Sequence, residues 1–154
     1  FACMKRFYRI HHNCAFQPDG EGVIHAIKFA LASSGIGADE VDYINAHATS
    51  TPMGDVAELK AIKSVFGSNA KAMISSTKAI TGHGLSLAGV MEAAFCALAM
   101  KEGFTPGSAH ISELDPEAEG LNIITKTQMT APKTSLSLSS GFGGANVAIV
   151  LQKA

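Results

Sequence analysis

The sequence has little cysteine, no excess of charge of either sign and no long apolar run. Three cysteines in 154 residues, Cys3, Cys14 and Cys96, are too few and odd in number for a disulfide framework. Such a count fits a reducing cytosol, and a cytoplasmic location is expected. Twelve Lys and Arg against 13 Asp and Glu leave a formal net charge of -1. That balance gives no electrostatic case for nucleic acid or an anionic membrane surface. A membrane span needs a run of about 18 apolar residues, and none is present. The opening FACMKRFYRIHHNC has basic residues but no apolar core behind them, so it does not read as a signal peptide. Internal repeats, low-complexity tracts and linkers are absent too. What remains is ordinary globular material, 47% hydrophobic, of one-domain size.

The chain opens on Phe1 rather than Met, and residues 1–18 form an atypical segment without periodicity, suggesting a truncated or rearranged beginning. The pattern sharpens from Asp19, so a domain over 19–154 is expected. Helical spacing of Val23, Ile27, Ala30 and Leu31 predicts a helix over 19–35, capped by Asp19 and ended by Gly35. Alternation predicts a strand over 41–48 that ends near His47. A second helix is expected over 51–67, with Thr51 as cap, Pro52 in the first turn and Gly67 past the end. A strand follows at 71–77. The apolar run 85–103 predicts a long helix buried on most sides, with Cys96 as a small buried residue. A loop-rich stretch holds a short strand at 121–125. Two strands, 133–140 and 145–153, flank the glycine turn GFGG. The order predicts a layered α/β domain with a mixed sheet.

Three stretches could carry chemistry. In NAHATSTPMGD (45–55), a His at a strand end is followed by Thr49, Ser50 and Thr51 at a helix start. Strand ends are where ligands sit in α/β sheets, and hydroxyls with free N–H groups can hold a polar ligand arm. Taken alone, the stretch reads more readily as a capping turn with an incidental His. In SSTKAITGHGLSLAGVMEA (75–93), Lys78 and His83 sit between a strand and an apolar helix, and Gly82 and Gly84 let backbone approach closely. Glu92 lies nine residues beyond His83 in the apolar pattern, where a buried carboxylate needs a partner, most naturally Lys78 or a polar group near the helix start. Such a pair either only fixes the loop or tunes a catalytic His. In SSGFGGAN (139–146), glycines around Phe142 could move the ring, or simply turn a hairpin. No G-x-G-x-x-G follows a strand and opens a helix, so a nucleotide loop is not indicated.

Together, HATSTPMGD, then TKAITGH, then GFGG, in that order and spacing, resemble the β-ketoacyl-acyl-carrier-protein synthases of the bacterial dissociated type. The likeness runs from about Asp19 to Lys153 and includes VFG, EGFTPGSAHISELDPEAEGLNII and ANVAIVL. The resemblance implies a thiolase-like α/β fold, C-terminal half only, with a layered mixed sheet packed with helices. It implies an acyltransferase of fatty-acid or polyketide-type synthesis that performs decarboxylative Claisen condensation of an acyl thioester with malonyl-carrier protein. By the same resemblance His47 and His83 are N–H donors to the developing enolate oxygen, Lys78 positions His83, and Glu92 completes the buried network. Thr49 and Thr51 match positions that contact the pantetheine arm, and Phe142 matches a gate. No metal or organic cofactor is implied, since substrates ride on the phosphopantetheine of acyl carrier protein.

The family nucleophile is a cysteine in the other half of the fold, and none of the three cysteines stands in a matching context. The implied partners are therefore acyl carrier protein and a Cys-bearing N-terminal half or partner subunit, in an assembly expected to be homo-oligomeric. The family pattern departs at Ala48, where Gly is usual, at Leu138, Ser139 and Ser140, and at Ala145. The competing expectation is a non-catalytic, chain-length-factor-like partner or an inactive fragment. On either reading an apolar face that the other half would cover is expected to be exposed.

Overall fold

A computed structural model describes residues 19–68 and 70–153. The atypical segment 1–18, with Cys3 and Cys14, lies outside the described residues.

Helix α1 spans Glu21–Ser34 and buries Val23, Ala26, Ile27, Ala30 and Leu31, a single stripe at helical spacing. Gly20, not Asp19, occupies the N-cap; Asp19 assists by accepting the Glu21 N–H at 3.2 Å. Gly20 adopts φ 71, and a Cβ there would run into the Ala57 carbonyl oxygen, so only glycine lets α1 approach the next helix. Gly35 ends α1 in the left-handed conformation.

Strand β1 (Tyr43–Asn45) is shorter than the alternation predicts. It stops before His47 because the N–H groups of His47 and Ala48 turn away from the sheet to a carboxylate on helix α2 (Pro52–Phe66). Pro52 opens α2 and Gly67 follows it. Thr51 stands at the N-cap, but its side chain makes no capping bond; instead Asp55 accepts the Thr51 N–H at 3.2 Å.

Strand β2 (Met73–Ser75) leads into the short helix α3 (Lys78–Thr81). A 3-10 turn over Leu85–Leu87 then opens helix α4 (Ala88–Glu102). The stretch 121–125 is not a strand but one parallel bridge, Ile123 to Ile74. Edge strand β2 offers it only Ile74, which donates to the Asn122 carbonyl and accepts from the Ile124 N–H. Strands β3 (Thr134–Gly141) and β4 (Ala145–Gln152) form the terminal hairpin.

The sheet order is β2-β1-β3-β4, with β1 parallel to both neighbours and β4 antiparallel to β3. Successive side chains point to opposite faces. Ile44, Ile74, Leu136, Leu138 and Val150 therefore meet Ile27 of α1 and Ile62 of α2 in the main core. Each fully buried aliphatic side chain contributes about 1.5–3 kcal/mol. Tyr43 and Leu151 face the other way and pack on Cys96 and Met100 of α4. The polar Asn45, Ser135 and Ser137 are buried as well. Helix α4 is not covered on most sides. It buries one stripe, Ala88, Glu92, Cys96, Ala99 and Met100, and leaves Val90 67% and Leu98 47% exposed. Its apolar residues run all round, and the described residues supply a partner for one face only.

Candidate active site

The C-terminal ends of β1 and β2 bring His47 together with Lys78 and His83, residues far from it in sequence, as ligand sites of parallel α/β sheets do. His47 leaves the end of β1 and is buried. Its backbone N–H donates to Glu58 Oε1 at 2.7 Å, and the Ala48 N–H donates to Oε2 at 2.8 Å. One carboxylate on the second turn of α2 thus fixes the peptide on both sides of the imidazole. His83 follows α3 and Gly82 and is exposed. The two rings stand edge to face, centroids 5.3 Å apart at 84°.

Lys78, at the start of α3, sends its ammonium onto Glu92 of α4, and both residues are buried. The pair ties the loop carrying His83 to the helix behind it. Glu92 Oε2 and His47 Nδ1 are buried without a hydrogen-bond partner among the described residues. Unpartnered buried polar atoms are uncommon; the others among the described residues are on Asn45, Thr77 and Ser135.

Electrostatics set the state of the imidazole. Burial, reinforced by the Lys78 ammonium and by His83, pushes His47 down to about 4. His47 is therefore neutral at pH 7 and offers an uncharged N–H. Burial pushes the Glu58 carboxyl up to about 7, against the two N–H groups that favour its ionised form. Burial also raises Glu92 above the ordinary carboxylate range, opposed by Lys78.

Of four non-glycine residues at positive φ among the described residues, three lie here, and the fourth is His110. Ala48 (φ 21), Ser50 (φ 63) and Leu85 (φ 50) adopt positive φ close in sequence to a site histidine. Such conformations cost of order 1–3 kcal/mol each and persist where surrounding structure imposes them. Thr49 and Thr51 place their hydroxyls 3.2 Å apart on the same turn. Phe142 stands apart from this group: it sits at the tip of the β3–β4 turn with 95% of its surface exposed.

Sequence reasoning brings forward His47, Lys78, His83 and Glu92 but misses Glu58. The signal is present. Gly54, Ala57, Glu58, Ala61 and Ile62 form the buried stripe of α2, so an acid occupies a core-facing position, as Glu92 does in α4.

The fold, a mixed sheet with helices on both faces, is that of solved ketosynthases, which are thiolase-like. A ketosynthase of a type II polyketide synthase, solved with its acyl-carrier protein, superposes with a TM-score of 0.91 at 30% identity, over 99% of this chain and 38% of that one. A ketosynthase from Xenorhabdus doucetiae, solved with its chain length factor, gives 0.89 at 33% identity, over 99% and 39%. The model for the beta-ketoacyl synthase C-terminal domain matches residues 6–112. The chain belongs to the beta-ketoacyl synthase family. It is 48% identical over 137 residues to 3-oxoacyl-[acyl-carrier-protein] synthase 1 of Escherichia coli, covering 88% of this chain and 32% of that enzyme. The chain thus spans about a third of the length of the relatives it matches.

Proposed function

We propose that this chain is the C-terminal part of a β-ketoacyl-acyl-carrier-protein synthase and supplies the decarboxylation half of its site. The carrying observation is the edge-to-face pair of His47 and His83 at 5.3 Å, with His47 held neutral. In the proposed reaction the bond from the malonyl α-carbon to its carboxylate breaks and carbon dioxide leaves. The electron pair stays behind as an enolate, with its charge on the thioester oxygen. Two N–H donors converging on that oxygen stabilise the charge as an oxyanion hole does. A neutral imidazole can donate there without giving up its proton to the substrate. The α-carbon then attacks an acyl thioester held on a cysteine, and the cysteine leaves as thiolate.

Cys96 does not suit that last role: it is fully buried and its thiol is pushed up to about 12, chiefly by burial. The cysteine would come from a Cys-bearing N-terminal half or partner subunit. The carrier protein's pantetheine would lie along Thr49 and Thr51, Lys78 would hold the His83 loop, and Phe142 would gate from the tip of the glycine turn. The chemistry calls for no metal or organic cofactor. A cytoplasmic enzyme acting as a homo-oligomer is the setting proposed.

The buried Cys96 thiol also favours a second reading, a non-catalytic partner of the chain-length-factor kind. The two readings part on malonyl-thioester decarboxylation, which requires no cysteine in principle. The test measures carbon dioxide release from malonyl-carrier protein by the chain together with a Cys-bearing half whose cysteine is replaced by alanine. Release that drops at least tenfold in both His47→Ala and His83→Ala supports the condensing reading. Release no greater than in those variants supports the non-catalytic one.

A further inference from the structure

Beyond β2 the chain leaves the sheet toward Lys78 and His83, and one hydroxyl marks where it turns. Ile74 bonds to the 121–125 stretch as in a parallel ladder. Its N–H donates to the Asn122 carbonyl at 2.9 Å, and its carbonyl accepts the Ile124 N–H at 2.9 Å. The next rung of such a ladder would carry the Ser76 N–H to the Ile124 carbonyl. Ser108 stands in that rung instead. Its own N–H donates to the Ile124 carbonyl at 2.8 Å, and its Oγ accepts the Ser76 N–H at 2.9 Å. The ladder therefore ends at Ile74, and the chain parts from its neighbour at Ser76.

Both sides of this junction are pinned. The Ser75 carbonyl accepts the Ala46 N–H at 2.8 Å, so the end of β2 stays tied to β1. Thr105, fully buried, exchanges backbone bonds of 2.8 and 2.9 Å with Gln128. A Cβ on Gly107 would fall 2.5 Å from the Lys126 backbone, so the segment carrying Ser108 lies tight on its neighbour. Ser108 is itself buried. The Ser76 hydroxyl lies 3.4 Å from the Ala48 carbonyl oxygen and 3.4 Å from the Lys78 nitrogen, contacts too long to fix the turn by themselves. Glu92 anchors the far end of the Lys78 side chain; Ser108 anchors the backbone just before it. We propose that Ser108 is a positioning residue for the histidine pair: by occupying the last rung it turns the chain at Ser76 and so sets the edge-to-face approach of His83 to His47. Without its hydroxyl the Ser76 N–H turns to the Ile124 carbonyl, β2 lengthens by a rung, and the loop carrying His83 leaves its line. This geometric role stands apart from the condensing reading; its consequence for turnover rests on that reading.

Histidine-selective NMR on the full chain at pH 7.5, with ring signals assigned from His47→Gln and His83→Ala, tests this. His83→Ala moves the His47 ring signals by what the ring contact contributes. Ser108→Ala should reproduce most of that movement, and Ser108→Thr, which keeps the hydroxyl, almost none. The Ser76 amide should be protected from hydrogen exchange in the wild type and in Ser108→Thr, and should lose about tenfold or more of that protection in Ser108→Ala. With the Cys-bearing half whose cysteine is replaced by alanine, Ser108→Ala should lower kcat for carbon dioxide release about tenfold with KM little changed, and Ser108→Thr should restore it. Where Ser108→Ala fails to fold by far-UV circular dichroism, Ser108→Cys, a weaker acceptor of similar shape, should move both NMR readouts part of the way. A lowered urea midpoint with ring signals and Ser76 protection unmoved would make Ser108 purely structural and overturn the proposal, as would equal shifts in Ser108→Thr and Ser108→Ala. Ring signals that move while even the wild type releases no carbon dioxide would uphold the positioning role and count against the condensing reading alone.

Discussion

Glu58 grips the turn beyond β1 with both oxygens, one on the N–H of His47 at 2.7 Å and one on that of Ala48 at 2.8 Å. Removing the carboxylate orphans two donors, one of them in a buried residue, and each buried orphan costs about 1–3 kcal/mol. Glu58→Ala should therefore lose about 2–4 kcal/mol of stability, and Glu58→Gln about half of that, since one amide oxygen still accepts. Urea unfolding at pH 7.5 reads both losses as a lowered midpoint. An unchanged midpoint in Glu58→Ala would mean that the two bonds carry no net stability.

Glu58 and His47 make opposite contributions to stability as pH changes. Glu58 is raised to about 7, so between the ordinary carboxylate range and pH 7 the folded chain holds a proton that the unfolded chain has released. Stability from Glu58 is then lost as pH rises through that window. His47 is lowered to about 4, so between pH 4 and the ordinary imidazole value the unfolded chain holds the extra proton. Stability from His47 is gained as pH rises. Each contribution is roughly 3 kcal/mol at most, and they largely cancel. As pH rises from about 4.5 to 7, the stability of Glu58→Gln relative to wild type should climb, so that its deficit is larger at pH 4.5 than at pH 7, and that of His47→Gln should fall. Unfolding curves collected across this range, with slopes of the same sign in both variants, would contradict these assignments.

Ala48 carries a methyl group at φ 21, on the edge of the left-handed region where glycine is favoured. Glycine would relieve a strain of about 1–2 kcal/mol but add about 0.4–1 kcal/mol of unfolded-chain entropy. Ala48→Gly should stabilise the domain by about 0.5 kcal/mol. A thermal scan showing a rise of about 1–3 °C in Tm would agree; a fall would show that the turn is unstrained.

What could be read in advance follows the range of the forces involved. Helices α1 and α2 were legible because one apolar stripe and a terminal glycine are local signals, and so were the β3–β4 hairpin and its GFGG turn. The burial of Glu92 was legible from an acid placed inside an apolar pattern, with Lys78 as one of two partners that pattern allows. The limits of β1 were not, because its end is set by Glu58, a distant residue competing for N–H groups that a longer strand would have used. The stretch 121–125 had the composition of a strand but met a partner only three residues long. Nor does the motif order alone say that His83 is exposed while His47 is buried, since that depends on how α3 and the Leu85–Leu87 turn carry the chain past the end of β2.

Among the described residues, the outer face of α4 leaves a run of apolar side chains uncovered. Val90 is 67% exposed and Leu98 47%, with Leu85 72% and Leu87 57% exposed on the turn before it. Ala94 and Ala97 continue the face between Val90 and Leu98, and the helix carries no charge from Ala93 to Met100. Contiguous apolar surface of this kind drives association, whereas scattered exposed residues do not. The isolated chain should therefore bind an exposed-patch dye and elute from sizing as more than a monomer. Val90→Glu with Leu98→Lys should cut the dye signal severalfold and shift elution toward the monomer. Surface substitutions away from packed partners usually change stability by less than about 0.5 kcal/mol, so the pair should leave the urea midpoint nearly unchanged. A clean monomer with no dye signal in the unaltered chain would show that this face is already covered.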